Sequence, residues 1–266
     1  GVGARGEGAY SLEVPAEGED AAALEAREAA RARVLRLDMR SLDLSLWGAF
    51  DLTLELTFGE DAIQPLFSGG CWAGTVLWPA SLWLCEHLRD LPGQGVQGAT
   101  VIELGAGLGL PAMTASLLGA TTVYATEQDP LPALLERNIA ANFDKLARDA
   151  RPTVTTFDWE EPGAELESTV FDFILVSDCV YQELYGDSWR ALARCIRSLS
   201  RPGVTRTFNS IERRKQDGVD DFLAYCNELG VHYKVVDRMR GRFDEELEFY
   251  EMFVPAATDA PPLAGP

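Results

Sequence analysis

The spacing of hydrophobic positions divides this chain of 266 residues into two parts. Apolar and polar residues alternate over residues 35–67, most clearly at 52–58, and this period of two predicts a small β-meander. From residue 100 onward, short apolar runs alternate with segments of helical period, which is typical of a parallel sheet covered by helices on both faces. We therefore expect an α/β fold that follows a small antiparallel sheet.

The second part contains seven predicted strands and five predicted helices. The strands lie at residues 101–104, 122–126, 154–158, 171–176, 204–209, 232–236 and 247–254, and the last two are expected to form an antiparallel hairpin. The helices lie at about 80–91 and at 110–118, 131–143, 189–199 and 219–229. This order predicts a doubly wound, mostly parallel seven-strand sheet with a C-terminal antiparallel hairpin.

The two ends of the chain differ in composition from its centre. Residues 1–33 are rich in Gly, Ala and Glu and are predicted to form an acidic, flexible segment. Residues 255–266 consist mainly of Pro, Ala and Gly and are predicted to be a disordered tail. The residues between them, 34–254, are expected to form a single domain in which the meander covers 34–70.

Composition places the chain among ordinary globular proteins, with 47% hydrophobic and 24% charged residues. Its longest apolar runs are far shorter than the roughly 20 residues of a membrane span, and no signal peptide opens the sequence, so we expect a cytoplasmic or nuclear protein. The five cysteines contain no Cys-x-x-Cys pair and the two histidines form no cluster. Neither a disulfide framework nor a metal site is therefore predicted.

The net charge of −19 argues against a nucleic acid as the main partner, because phosphate binding is driven by lysine and arginine. Long-range attraction favours a basic partner instead. The alternative is that the acidic terminal stretches only keep the protein soluble.

A glycine-rich turn within residues 101–111 is the leading candidate for a ligand site. Gly105, Gly107 and Gly109 follow a predicted strand at alternate positions, and they leave room for the backbone to approach a ligand closely. Pro111 suits the first turn of the next helix, because its missing N–H would have no helical partner there. A dinucleotide site has a glycine where this chain has Leu110, so the spacing fits a different ligand. An ordinary turn without a ligand is the alternative.

Acidic and aromatic residues follow three other predicted strands. Glu127 ends the second strand, where its carboxylate can accept hydrogen bonds from both hydroxyls of a ribose. Asp158 and Trp159 end the third, where an acid beside an indole suits a purine ring and a solvated strand end is the alternative. Asp178 and Tyr181 follow the fourth strand and are the candidates for chemistry. Because the carboxyl ends of parallel strands meet at one edge, we expect these residues beside the glycine turn.

These motifs resemble those of the seven-strand, S-adenosylmethionine-dependent methyltransferases, whose motif I reads Glu-x-Gly-x-Gly-x-Gly, as residues 103–109 do here. Within that class the chain resembles methyltransferase family 16, the non-SET protein-lysine methyltransferases, over roughly residues 50–254. The most specific similarity is Ser-Asp-Cys-Val-Tyr at 177–181, which resembles the family's Asp-x-x-Tyr signature. Residues 158–159 are similar to its adenine-side motif, and the segment 73–80 places a tryptophan before the first helix. Pro79 departs from the Trp-Asp-Ala that the family commonly has there.

The resemblance implies a Rossmann-like methyltransferase fold and S-adenosylmethionine as the cofactor. The implied cofactor contacts, together with Asp158 from the strand-end pattern, are Trp78, Glu103, Gly105, Gly107, Glu127, Trp159 and Ser177. The resemblance also implies that Asp178 and Tyr181 face the incoming nucleophile as catalytic residues. We expect them to hold a lysine ammonium or amine by hydrogen bonds and aromatic contact.

The reaction we expect is transfer of a methyl group to a lysine side chain of a protein substrate. The partner would be a protein with an accessible, locally basic lysine, bound by a monomer that needs neither nucleic acid nor membrane. Three alternatives stay open: a small-molecule N- or O-methyltransferase of the same fold, a non-catalytic methyltransferase-like subunit, and a nicotinamide-dependent oxidoreductase. Leu110 disfavours the last of these.

Overall fold

The computed structural model describes residues 32–37, 40–56, 70–144, 151–240 and 246–256. Most of the predicted acidic segment 1–33, the predicted meander residues 57–69 and the predicted tail from residue 257 lie outside the described residues. A small antiparallel sheet comes first, with strands β1 (Arg33–Leu37), β2 (Ser41–Leu46) and β3 (Phe50–Glu55). This sheet confirms the small N-terminal β-meander that the alternating pattern predicted.

The larger part of the chain alternates strands with helices. Its strands are β4 (Thr100–Leu104), β5 (Thr122–Glu127), β6 (Thr153–Thr156), β7 (Phe173–Ser177), β8 (Arg206–Arg213), β9 (His232–Arg240) and β10 (Glu246–Phe253). Its helices are α1 (Pro79–Arg89), α2 (Leu110–Leu117), α3 (Pro132–Phe143), α4 (Ala164–Ser168), α5 (Gln182–Tyr185), α6 (Trp189–Leu199) and α7 (Val219–Glu228), and a 3-10 helix (Gly70–Thr75) precedes α1. The 3-10 helix, α4 and α5 were not predicted, because segments this short carry too little periodicity. Within the described ranges, no helix combines the length and the apolar character that a membrane crossing needs.

The seven strands β4 to β10 form one mixed sheet in the order β6-β5-β4-β7-β8-β10-β9. Neighbouring strands from β6 to β8 run parallel, whereas β10 runs antiparallel to both β8 and β9. The predicted fold class is therefore confirmed, including the C-terminal hairpin. The strand order changes direction between β4 and β7, and such a switch point is where open α/β sheets bind ligands.

Two strands, β8 and β9, continue four residues beyond their predicted ends. β8 runs to Arg213 instead of residue 209, and β9 runs to Arg240 instead of residue 236. Both are held by β10, since Glu246 lies opposite Arg213 on one side and Arg240 on the other. The charged residues at these strand ends interrupt the apolar pattern, which is why the sequence placed the ends too early.

Two hydrophobic cores cover the two faces of the sheet. Val101 and Leu175 pack in the core that contains residues of α1, α2 and α3, whereas Ile102 and Val176 pack in the core that contains residues of α6 and α7. This alternation is the period of two of a strand, and all four side chains are fully buried. With both faces covered by helices, the carboxyl ends of the strands are the natural place for a ligand crevice.

Two asparagines of α3 attach the N-terminal sheet to the main domain. The side chain of Asn142 accepts a hydrogen bond from the Thr53 N–H at 2.9 Å and donates one to the Thr53 carbonyl at 2.9 Å. Asn138 makes the same pair of bonds with Glu55, accepting at 2.6 Å and donating at 3.1 Å. The two amides thus take the place of a neighbouring strand along the edge of β3.

Candidate active site

A cavity of about 350 Å³ opens at the carboxyl ends of β4, β5 and β7. Nine of the ten predicted site residues line it: Trp78, Gly105, Gly107, Glu127, Asp158, Trp159, Ser177, Asp178 and Tyr181. The tenth, Glu103, is not a lining residue. Apart from Glu103, the structure thus brings the predicted cofactor-binding residues and the predicted catalytic residues together in one cavity.

The glycine turn requires glycine on both conformational and steric grounds. Gly105 and Gly107 have φ angles of 65° and 52°, in the left-handed region that favours glycine. A Cβ on Gly105 would lie 2.8 Å from the Sγ of Cys179, and a Cβ on Gly107 would lie 3.1 Å from the carbonyl oxygen of Gly74. The turn therefore packs closely against two other segments of the chain and offers bare backbone to the cavity.

Glu103 lies beneath the glycine turn rather than in the cavity. It is fully buried, and its Oε2 accepts a hydrogen bond at 2.8 Å from the Ala112 N–H, a donor in the first turn of α2. Its Oε1 has no hydrogen-bond partner among the described residues. Burial raises the pKa of this carboxyl well above its ordinary value, which favours the protonated form. The structure thus gives Glu103 a contact that stabilises the turn, and its contact with a cofactor stays a prediction.

Glu127 is the last residue of β5 and lines the cavity. Burial raises the pKa of its carboxyl to about 7, although hydrogen bonds from the backbone N–H groups of Gln128 and Gly107 oppose the shift. The Gln128 N–H donates to Oε2 at 2.9 Å. An ionised carboxylate accepts several hydrogen bonds and donates none, so this position fits the two hydroxyls of a ribose.

Asp158 and Trp159 form another part of the cavity wall. They follow β6 after Phe157 and do not end the strand as predicted, because β6 stops at Thr156. Asp158 is exposed, and its Oδ1 accepts a hydrogen bond from the Glu160 N–H at 2.9 Å. The half-buried indole of Trp159 lies against the glycine turn, where it offers a flat apolar surface beside an acid. That pairing suits a purine ring.

Ser177 is the last residue of β7 and is buried. Its hydroxyl lies 2.7 Å from the hydroxyl of Ser81 in α1, and both residues line the cavity. This contact joins the start of α1 to the end of β7 at the cavity wall.

Asp178 has a left-handed backbone conformation, with a φ of 54°. Its carboxylate accepts two parallel hydrogen bonds from Arg214, at 2.7 Å from Nη2 and 3.0 Å from Nη1. The same carboxylate accepts a third bond from the Glu212 N–H at 3.1 Å, and only 2% of the side chain is exposed. The carboxylate of Asp178 is therefore already engaged by groups of the protein itself.

Three aromatic residues, Trp72, Trp78 and Tyr181, form what we call the aromatic mouth of the cavity, where Trp72 is 36% exposed. The guanidinium carbon of Arg214 lies 5.4 Å from the ring centre of Trp78 and 5.1 Å from that of Tyr181, within range of cation–π attraction. The Tyr181 hydroxyl donates a hydrogen bond to Glu183 at 3.0 Å. The predicted catalytic tyrosine thus stands beside a cation that belongs to the protein.

The cavity wall also contains residues that were not singled out from the sequence, among them Trp72, Ser81 and Arg214. Arg214 directly follows β8, so the rule that found Asp178 at the end of β7 would have found it as well, had the end of β8 been placed correctly. Trp72 belongs to the 3-10 helix that was not predicted, and Ser81 carries no local signal of its own.

Residues 62–228, more than half of the chain, match the profile of the family described as lysine methyltransferase. The chain belongs to this family. It is an S-adenosylmethionine-dependent methyltransferase, as the resemblance of its motifs implied.

Several known proteins are similar to this chain in sequence or in fold. The chain is 34% identical over 156 residues to secreted RxLR effector protein 48 of Plasmopara viticola, and this alignment covers 54% of this chain and 79% of that protein. It is 39% identical over 163 residues to the protein N-lysine methyltransferase METTL21A of Xenopus tropicalis, and this alignment covers 61% of this chain and 69% of the relative. The S-adenosylmethionine-bound magnesium protoporphyrin IX methyltransferase (ChlM) of Synechocystis PCC 6803 is similar in structure, with a TM-score of 0.52 and 15% identity over 74% of this chain and 86% of that one. The structural likeness concerns the fold alone.

The residues of the cavity fit S-adenosylmethionine, which supplies a methyl group on a positively charged sulfur. Gly105 and Gly107 leave a cradle that a Cβ would fill, and the carboxylate of Glu127 and the indole of Trp159 line the same cavity. A carboxylate can accept hydrogen bonds from a ribose and an indole can pack on a purine, so both residues suit the cofactor. Among the described residues, His, Cys, Asp and Glu form no group of three or more that is arranged for a metal ion.

Proposed function

We propose that this protein methylates the ε-amino group of a lysine in a protein substrate, with S-adenosylmethionine held at the glycine turn. The observation that carries the proposal is the continuity of the cavity, whose lining runs from Gly107 and Glu127 to the aromatic mouth. A long, narrow side chain such as lysine can pass an aromatic opening and reach a buried methyl group. Membership of the lysine methyltransferase family supports the same reaction.

Each wall of the cavity has a role in this proposal. The glycine turn lies under the methionyl part of the cofactor, Glu127 accepts hydrogen bonds from the ribose, and Asp158 and Trp159 contact the adenine. The aromatic mouth surrounds the aliphatic stem of the lysine. The family resemblance implies these roles, and the presence of the side chains in one cavity and the chemistry that each can offer support them.

The lysine must reach the methyl group as a neutral amine, because its lone pair makes the new bond. Free lysine has a pKa of about 10.4, so the site has to favour loss of a proton near neutral pH. Burial in the cavity disfavours the ammonium form by withdrawing it from water, and the positive sulfur of the cofactor acts in the same direction. The remaining task of the protein is to position the amine in line with the methyl group.

The substrate is proposed to carry its lysine in a locally basic segment, because the protein has a net charge of −19. Two exposed acids lie on α5 and just after it: Glu183, which accepts a hydrogen bond from Tyr181 of the mouth, and Asp187. We further propose that the protein acts as a monomer in the cytoplasm or the nucleus. In support of the compartment, the four described cysteines are free thiols, as in a reducing environment.

The test is to incubate the purified protein with labelled S-adenosylmethionine and a cell extract. We expect label in one or a few protein bands, and mass spectrometry of those bands should locate a methylated lysine. Label confined to the small-molecule fraction would instead support a small-molecule methyltransferase. Absence of all label above background would contradict the proposal.

Gly107→Arg is the variant that links this activity to the cavity. A side chain at this position meets both a φ of 52° and the nearby Gly74 carbonyl, so cofactor binding measured by calorimetry should be lost together with labelling. Gly93→Arg is the matched control, because Gly93 also has a positive φ, 73°, but faces open space and does not line the cavity. Equal cofactor affinity in the two variants would show that the glycine turn is not the cofactor site.

A further inference from the structure

Arg214 holds a fixed positive charge at the aromatic mouth. Its side chain is 19% exposed and lines the cavity. In addition to its two bonds with Asp178, Nη1 donates to the Glu212 carbonyl oxygen at 3.1 Å and Nη2 lies 3.0 Å from the Glu212 carboxylate. These contacts hold the guanidinium in one position. Burial opposes its charge, but the pairing with Asp178 raises its pKa above the ordinary value, so Arg214 stays ionised.

The pairing changes what Asp178 can do for a substrate. An unpaired carboxylate at this place would stabilise the ammonium form of an arriving lysine and raise its pKa, typically by about 1–3 units. Methyl transfer needs the opposite, because only the neutral amine has a free lone pair. Arg214 occupies both carboxylate oxygens of Asp178 and so removes that attraction.

We propose that Arg214 is a positioning residue that neutralises Asp178 and thereby lets the substrate lysine lose its proton before methyl transfer. This inference rests on the proposed function, since it concerns the lysine that the function requires. In the reaction, a proton leaves the lysine ammonium for solvent water and frees the lone pair. The nitrogen then forms a bond to the methyl carbon as the carbon–sulfur bond breaks, and that electron pair stays on sulfur. Arg214 makes and breaks no bond in these steps.

Other ionisable groups lie beside Arg214 and Tyr181 or line the same cavity. Glu212 adds a second carboxylate beside Arg214, so the local charge of the three residues Asp178, Glu212 and Arg214 is −1 with arginine and −2 without it. Tyr181 lies against the guanidinium, and its phenol donates to Glu183. The remaining ionisable residues of the cavity wall are Glu127, Asp158, Glu160, Cys179 and Tyr185. None of these is altered by the variants below, so a change in pH profile reports the charges around position 214.

The test is the single-turnover rate at saturating cofactor and substrate, measured from about pH 6 to about pH 10. This rate reports the pKa of the lysine in the complex, whereas kcat/KM also reports the free lysine. The substrate is the protein that the wild type labels in the cell extract, used in purified form. We call the part of the profile where the rate rises with pH its acidic limb. Arg214→Gln should move this limb to higher pH by about one pH unit or more. The rate at neutral pH should therefore fall about tenfold or more.

Three further variants separate charge from structure. Arg214→Lys keeps the positive charge without the bidentate geometry, and its acidic limb should stay near that of the wild type. Asp178→Asn combined with Arg214→Gln removes both charges, and its acidic limb should return toward the wild-type position. Arg151→Gln removes an arginine that pairs with Glu136 and Asp144 away from the cavity, and its profile should not change. Calorimetry with the cofactor checks that each variant is folded.

Several outcomes would overturn the inference. A rate that falls equally at every pH in Arg214→Gln would indicate a structural role only. A higher rate at every pH would show that the guanidinium obstructs the mouth. If Arg214→Gln does not fold, Arg214→Lys and the double variant Asp178→Asn/Arg214→Gln decide. A shift of the acidic limb to higher pH in either of them would refute the role of charge. If the wild type labels no protein, the proposed function fails first, and this inference fails with it.

Discussion

At the scale of single residues, the backbone of Asp178 determines how its carboxylate is used. Its φ of 54° lies in a region that costs a non-glycine residue on the order of 1–3 kcal/mol. The conformation persists because the surroundings fix it: the Asp178 N–H donates to the Ser210 carbonyl at 2.8 Å, and the carboxylate binds Arg214 and the Glu212 N–H. Strain held in this way is typical of functional sites. Here its result is a buried, paired carboxylate at the aromatic mouth.

Glu127 leads to a prediction about the pH dependence of cofactor binding. Its pKa in the free protein is raised to about 7, and only the ionised carboxylate can accept hydrogen bonds from both ribose hydroxyls. Cofactor binding should lower this pKa, so affinity should be fully present above pH 7 and should weaken as the pH falls through 7. Calorimetry should show about a tenfold loss of affinity for S-adenosylmethionine between pH 8 and pH 6.

Glu127→Gln is the control for this assignment, because it keeps the shape of the side chain and removes its titration. We expect weaker binding than in the wild type at pH 8 and nearly constant affinity from pH 6 to pH 8. If the variant keeps the wild-type pH dependence, another group is responsible and Glu127 is not the ribose acceptor.

At the scale of elements, the sequence predicted strongly periodic segments well. The predicted helix at 189–199 coincides with α6, whose apolar spacing is regular, and all seven strands of the main sheet were found at the expected places along the chain. Periodicity does not predict the contacts that depend on the register between neighbouring strands. Asp178 and Arg214 meet because Ser177 of β7 lies opposite Ser210 of β8, and no local pattern in the sequence encodes that register. The site residues at strand ends were therefore predictable, whereas their partners were not.

The attachment of the N-terminal sheet to α3 gives a prediction about stability. Asn138→Ala and Asn142→Ala each remove two hydrogen bonds to the backbone of β3. We expect each change to lower the free energy of unfolding by about 1–3 kcal/mol, because it leaves partly buried backbone groups without partners. Hydrogen exchange should also become faster at the Glu55 amide in the first variant and at the Thr53 amide in the second.

Asn227→Ala is the matched control for this pair, since Asn227 also lies on a helix, α7, but is exposed. It should change the free energy of unfolding by no more than about 0.5 kcal/mol. If all three variants behave alike, the two amides of α3 do not hold the N-terminal sheet.

At the scale of the whole molecule, charge and cavity have separate roles. The cavity is lined by glycine backbone, aromatic rings and a few paired charges, so it accounts for the chemistry of the reaction. The net charge of −19 extends over the surface and over residues outside the described ranges, so it acts on the approach of a partner. The sequence supplied this charge directly, but it left open whether the charge attracts a substrate or only keeps the protein soluble.

Ionic strength distinguishes these two uses of the charge. If a basic protein substrate is attracted over a distance, kcat/KM should fall several-fold between about 0.05 M and about 0.5 M salt, because the Debye length shrinks well below about 10 Å. The single-turnover rate at saturating substrate should change much less, since lysine and methyl group are then already in place. Cofactor affinity measured over the same salt range controls for general effects on the protein. A kcat/KM that does not respond to salt would mean that the acidic surface does not steer the substrate, and the proposal of a locally basic partner would then be wrong.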